Sequence, residues 1–120
     1  MEVPGAKNNK VAIFFFEAVG SAFLVAAYNW TSASGPVLHV LGVAFTYFAL
    51  YSMFGQISGA HFNPAVTLAV MISKKLELYN VFIALGMIVF QLIGGGIGGF
   101  IARMGYTIRL DDPSKAAIHP

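Results

Sequence analysis

The amino-acid sequence predicts an all-α membrane protein with three transmembrane helices and one re-entrant half-helix, and three observations carry that reading. First, no Asp, Glu, Lys or Arg lies between Glu17 and Lys74, or between Glu77 and Arg103. A helix packed in a soluble core carries charge on its outer face, so long charge-free runs that are apolar all round point to a lipid-facing surface. Second, the whole composition leans the same way, with 58% hydrophobic and 10% charged residues and a mean hydropathy of +0.74. That is the balance of a membrane protein. Third, the apolar stretch is broken in its middle by SGAHFNPAVT, residues 58–67. Broken backbone at membrane depth is costly unless something nearby satisfies it.

The elements follow in order. Residues 1–10 form a polar N-terminal segment, and VAIFFFEAVGSAFLVAAYN, about 11–29, is long enough for one crossing, since a bilayer core takes ~20 residues at 1.5 Å each. A secretory signal peptide competes for any apolar N-terminus, but its apolar core runs only about 7–15 residues. WTSASGP, 30–36, is rich in turn formers and reads as a loop. The second span is VLHVLGVAFTYFALYSMFG, about 37–55, and the third covers about 79–102. Residues 56–73 are too few for a loop plus a crossing. The stretch PAVTLAVMIS supplies about ten helical residues, which cover only half of a ~30 Å core. The half-helix is thus placed at about 63–73, and a polar tail at 106–120.

Local chemistry explains the interruption. Asn63 is a favoured N-cap, its side-chain oxygen accepting a free N–H of the first turn. Pro64 suits the first helical position, where its missing N–H costs nothing. Gly59 and Ala60 let an extended backbone fold back closely, leaving carbonyls that need partners or a watery cavity. A helix start at membrane depth carries roughly half a positive unit charge, which suits a pore that admits neutral polar solutes and repels cations. A plain loop with an N-cap before an ordinary helix is the other reading these residues allow.

The string GQISGAHFNPAVTLAV, 55–70, resembles the signature of the aquaporin and glycerol-facilitator family, the major intrinsic proteins. EAVGSAFLV, 17–25, is similar to the family's first-helix pattern, and FQLIGGGIGG, 90–99, to its third. The resemblance covers about residues 11–105 and implies a single aquaporin-like repeat. It implies that Asn63 would donate its amide to a single file of water, with Pro64 and Ala65 shaping the half-helix start. Gly59, Ala60 and His61 would present carbonyls along the vestibule, and His61 would also brace the loop. Glu17 would be a buried carboxylate holding the re-entrant loop, with Gln91 supporting it from the third span. A lone acid inside a membrane span is costly enough to be a site candidate on its own.

The departures matter as much. Family members join two inverted repeats so that two NPA starts meet mid-membrane; this sequence has room for one repeat and contains one NPA. The Arg that follows the second motif is therefore missing, and Val66 follows Asn-Pro-Ala here. The first-repeat filter position lies twenty residues before the motif Asn, which is Val43. One half-helix lines half a membrane, so passive permeation of water or a small neutral solute requires a pore completed by a second half-channel. An antiparallel second copy is compatible with a weak charge bias, Lys7, Lys10, Lys74 and Lys75 on one side against Arg103, Arg109 and Lys115 on the other. A homologue carrying the second repeat is the next possibility, and a truncated gene product another. The alternative function is a non-conducting accessory or structural subunit of a larger membrane complex, docked through glycines of the third span and the tail.

Remaining motifs carry less. Residues 94–99 fit G-x-G-x-x-G but lie inside a span, without the strand and turn that dinucleotide binding needs. They read better as two G-x-x-x-G pairs, Gly94 with Gly98 and Gly95 with Gly99, that let a helix come close. Asn29-Trp30-Thr31 is a glycosylation sequon in the first loop, and Trp30 with Tyr28 reads better as an interfacial aromatic anchor. His39 reads as a packed histidine. With no cysteine, no paired carboxylates and no nucleophile set, no enzyme, cofactor or metal site is expected, and without a basic patch no nucleic-acid partner. Integral membrane localisation is expected; neither a transit segment nor a retrieval signal distinguishes the plasma membrane from an organelle membrane such as the mitochondrial inner membrane.

Overall fold

A computed structural model describes residues 9–73 and 78–110, with side-chain surroundings for 9–73 and 81–106. The polar segments expected at residues 1–8 and 111–120, and the sides expected for Lys7, Lys74, Lys75 and Lys115, lie outside the described residues, as does the Arg109 side chain. Among the described residues four helices follow one another: α1 Lys10–Thr31, α2 Pro36–Ser58, α3 Pro64–Ser73 and α4 Leu78–Leu110. Three of them are long and apolar enough to cross a membrane; α3 is not. At 1.5 Å per residue its ten residues reach about 15 Å, half of a hydrocarbon core.

Helix ends follow local rules. The Asn9 side chain accepts from the Ala12 N–H at 3.2 Å, capping α1. A turn closes after α1 with the Ser34 N–H on the Thr31 carbonyl, and Pro36 opens α2 at its first turn. Gly59 ends α2 in the left-handed region, φ 89°, its N–H on the Gly55 carbonyl. α1 runs two residues past the expected loop boundary, so Asn29, Trp30 and Thr31 form its last turn. The Asn29 amide is bonded to the Val25 carbonyl at 2.7 Å, so the sequon lies in a helix and not in a loop. α4 likewise continues beyond 102 through Arg103 to Leu110, because nothing from Arg103 to Leu110 breaks a helix; the first proline comes at 113.

α1 is the centre of the fold, packing along α4 on one side and α2 on the other, with α3 against α4. Its contact with α4 is made by missing side chains. A Cβ at Gly94 would strike the Ala18 carbonyl, and one at Gly98 the Ala22 carbonyl, while Gly95 and Gly99 lie against Val25. Small residues allow helices in lipid to approach until backbones touch. The glycine face expected to receive another subunit is therefore occupied by the chain's own α1; only Gly96 of this run faces open space. α2 is the opposite case. Leu50 is its one buried residue, and Val40, Phe45 and Phe48 stand exposed, a surface that suits hydrocarbon.

Candidate functional site

Among the described residues the largest fully buried side chains are polar: Gln91, Glu17 and Thr67. Polar groups in such a place must satisfy one another. Glu17, on α1, accepts four hydrogen bonds. Its Oε1 takes the Ser58 hydroxyl at 2.7 Å and the His61 N–H at 3.1 Å; its Oε2 takes the Phe62 N–H and the Gln91 Nε2, both at 2.7 Å. Four donors match the four lone-pair positions of a carboxylate. One side chain thereby ties the end of α2, the re-entrant loop and α4 to α1.

Thr67 is the second knot. Gln91 Nε2 donates to its hydroxyl oxygen at 2.8 Å, His61 Nδ1 lies 3.2 Å away, and the hydroxyl donates to the Asn63 carbonyl at 3.2 Å. A hydroxyl has one hydrogen to give. With that hydrogen on Asn63, His61 donates from Nδ1. Gln91 Oε1 is the one buried side-chain polar atom without a hydrogen-bond partner among the described residues.

The loop held by these groups is not extended. Gly59, Ala60 and Phe62 all have positive φ, at 89°, 51° and 49°. For Ala and Phe that conformation costs of order 1–3 kcal/mol each and persists only where the surroundings impose it. The imposing contacts are on the page. Ala60 donates its N–H to Ser58 Oγ and accepts the Tyr47 hydroxyl at 3.0 Å. Phe62 donates to Glu17, accepts the Ser21 hydroxyl at 3.0 Å, and sets its ring where a Cβ on Gly20 would stand. The turn ends at Asn63, whose Oδ1 accepts the Ala65 N–H at 2.8 Å, with Pro64 opening α3.

Two cavities flank the loop. One, of about 630 Å³, is an open groove bordered by α1, α2 and the start of α3; Val43, Tyr47, His61, Asn63 and Val66 line it. The other, of about 190 Å³, is lined by Ser58, Gly59, His61 and Thr67 with apolar residues of α3 and α4. His61 borders both. Asn63, Val43 and Val66 thus share one groove, while Gly59 faces the smaller cavity. Ala60 is 1% exposed, lines neither, and directs its carbonyl to Tyr47. Glu17 and Gln91 stand behind the loop, and Gly94 and Gly98 pack on α1 away from the site.

Thr67, Ser58, Tyr47, Ser21 and Phe62 join the site without having been expected from the sequence. A signal existed only for Thr67: it sits four residues after Asn63, one helical turn from the cap, the spacing at which side chains share a face. Among the described residues no group of His, Cys, Asp or Glu could hold a metal ion.

The chain has relatives among known proteins. A family model described as Major intrinsic protein matches residues 9–117. An aquaglyceroporin of Toxoplasma gondii is 36% identical over 98 residues, 79% of this chain and 35% of that protein. Glycerol uptake facilitator protein-like 6 of Lactiplantibacillus plantarum is 36% identical over 85 residues, covering 65% and 38%. Aquaporin-5 of Rattus norvegicus is 30% identical over 110 residues, covering 82% and 42%. The chain thus spans well under half the length of these relatives. No solved structure matches. The chain is an integral membrane protein and belongs to the major intrinsic protein family.

Proposed function

We propose that this chain supplies one half of a pore for passive permeation of water or a small neutral solute, completed by a second half-channel, and that it has no catalytic role. The observation that carries the reading is the shared groove. Asn63, at the capped start of α3, lines the same open groove of about 630 Å³ as Val43 and Val66. A helix start presents free N–H groups and roughly half a positive unit charge, so it orients a neutral dipole and opposes a cation. In this reading Asn63 binds the permeant, Val43 and Val66 form an apolar constriction, and Glu17 and Gln91 hold the loop. Gly59 and His61 border the route toward the smaller cavity. The second half is a second copy in the opposite orientation, a homologue, or a further segment of the same polypeptide.

The accessory-subunit alternative loses its expected docking face, because α1 covers the Gly94 and Gly98 side of α4. The test has two steps. The native complex is extracted gently and its composition read by intact mass. The complex is then reconstituted into vesicles, and osmotic shrinkage is followed with Asn63→Asp beside the parent protein. Altered solute flux or new cation leak in the variant supports the pore. Unchanged flux and ion exclusion in a verified pore would remove Asn63 from the pathway and overturn the mechanism.

A further inference from the structure

A second groove, at the far end of α1 from Lys10, belongs to none of the chemistry above. It measures about 660 Å³ and lies between the last turn of α1 and α4. Its floor is a column of small residues on α4, Gly99, Ala102 and Gly105, spaced three apart on one face. Its walls are chemically two-sided. Arg103, the Trp30 indole and Tyr106 supply donors. The Trp30 Nε1 edge lies over Gly105, 3.2 Å from where a Cβ would stand, so the absence of a side chain there makes room for the ring.

The α1 side adds acceptors. One Asn29 N–H is spent on the Val25 carbonyl and the Ser32 hydroxyl hydrogen on the Asn29 carbonyl, which leaves Asn29 its Oδ1 and one N–H, and Ser32 its hydroxyl lone pairs. They stand at the C-terminal end of a 22-residue helix, which carries a partial negative charge that favours a cation. Arg103 has other contacts within the chain, but a guanidinium carries five N–H donors in a fan that suits a phosphodiester. Depth is fixed by the aromatics: Tyr28, Trp30 and Tyr106, each more than half exposed, form the kind of belt that sits at headgroup level.

We infer that this groove seats a phospholipid headgroup, its phosphodiester on Arg103 with the Trp30 and Tyr106 donors and a primary ammonium against Asn29 and Ser32 at the end of α1. A dipolar headgroup meets a groove of matching polarity. The chemistry selects between two common lipids. An ethanolamine ammonium has N–H groups to give to Asn29 Oδ1 and Ser32 Oγ; a choline has none. The site does not depend on the pore reading.

The test uses the full chain in detergent micelles doped with equal amounts of dioleoyl phosphatidylethanolamine and dioleoyl phosphatidylcholine, with retained lipid counted by native mass spectrometry. Hydrogen bonds to charged groups are worth enough to give an ethanolamine enrichment of about tenfold. Arg103→Gln should reduce total retained lipid toward the background, and Arg103→Lys should restore part of it. Gly105→Phe, which leaves the charge in place and fills the floor, should lose the enrichment with helix content unchanged by circular dichroism. Equal retention of the two lipids by the parent protein, or retention unaltered in both Arg103→Gln and Gly105→Phe, overturns the inference. Excess glycerophosphoethanolamine separates a lipid site from a soluble phosphate site: bound lipid should stay, and its displacement by the chainless headgroup overturns the lipid assignment.

Discussion

The two sides of α1 are built on opposite principles. Toward α4 it is closed, with backbone carbonyls of Ala18 and Ala22 filling the places where Gly94 and Gly98 have no side chains. On its other side it packs on α2 and borders an open groove of about 630 Å³, edged by a loop that hydrogen bonds tie to α1. Closeness in lipid comes from shape, since an apolar solvent gives helices no hydrophobic reason to associate. A broken backbone at membrane depth needs ties, and the ties are polar: Glu17, Gln91 and Thr67, each 2% exposed or less. One helix thereby serves as both a welded seam and the wall of a groove.

The contrast can be broken from either side, and the closed side should fail harder. Gly98→Leu drives a branched side chain into the Ala22 carbonyl, where no rotamer can relieve the clash. The expected cost is about 4 kcal/mol or more, read as loss of monodisperse protein in detergent. Gly96→Leu, at a position facing open space, is the control and should elute as the parent does.

Next in size is Glu17→Gln. The amide offers two hydrogens where four donors already converge, so at least one bond is lost and a buried N–H is left without an acceptor. A loss of about 2–3 kcal/mol is expected, measured as a lower thermal midpoint with helix content retained. Unchanged stability would mean that the loop does not depend on its carboxylate.

Thr67→Val removes the hydroxyl but keeps the shape. It strands the contact from Gln91 Nε2 and the His61 Nδ1 approach, at a cost of about 1–2 kcal/mol. Because Glu17 still holds Gln91 and the loop, the double variant with Glu17→Gln should cost less than the sum of the two, as shared networks do. Strict additivity would show that the two knots act separately.

The smallest effect belongs to the open side. Val66→Thr is nearly isosteric and Val66 is 38% exposed, so stability should change by no more than about 0.5 kcal/mol. Solute flux in vesicles should change nonetheless. A large stability loss here would mean that the groove is packed shut.

What the sequence could reveal was set by the range of the interactions. The spans were readable because lipid exposure writes itself into long charge-free runs, and the half-helix because Asn63 and Pro64 are local start signals. Glu17 stood out as the lone acid of its apolar run. The loop's shape was not readable. Residues like Ala60 and Phe62 favour negative φ, so local preference argues for the extended backbone expected there; tertiary contacts with Ser21, Tyr47 and Glu17 override it. Those partners lie on other helices, and nothing in a hydroxyl's own neighbourhood announces a distant bond. The glycines of α4 were recognisable as a packing face, but which helix uses that face is a question of topology.

The long reach of the Glu17 cluster has a consequence for how the chain is assembled at the ribosome. Glu17 emerges 44 positions before His61 and 74 before Gln91, and Thr67 waits another 24 for Gln91. Loop closures over such separations come late. Until α4 is made, the re-entrant segment has Ser21, Tyr47 and Glu17 to bond with but lacks the Gln91 contact to Thr67 and the Gln91 support of Glu17. α3 is then a short apolar helix with no membrane-spanning fate of its own. Chains arrested before residue 91 should leave residues 58–67 open to protease, whereas chains arrested beyond 110 should protect them; equal protection at both lengths would show that the re-entrant turn is set without α4. α4 is, in this sense, the latch on the helix that cannot cross.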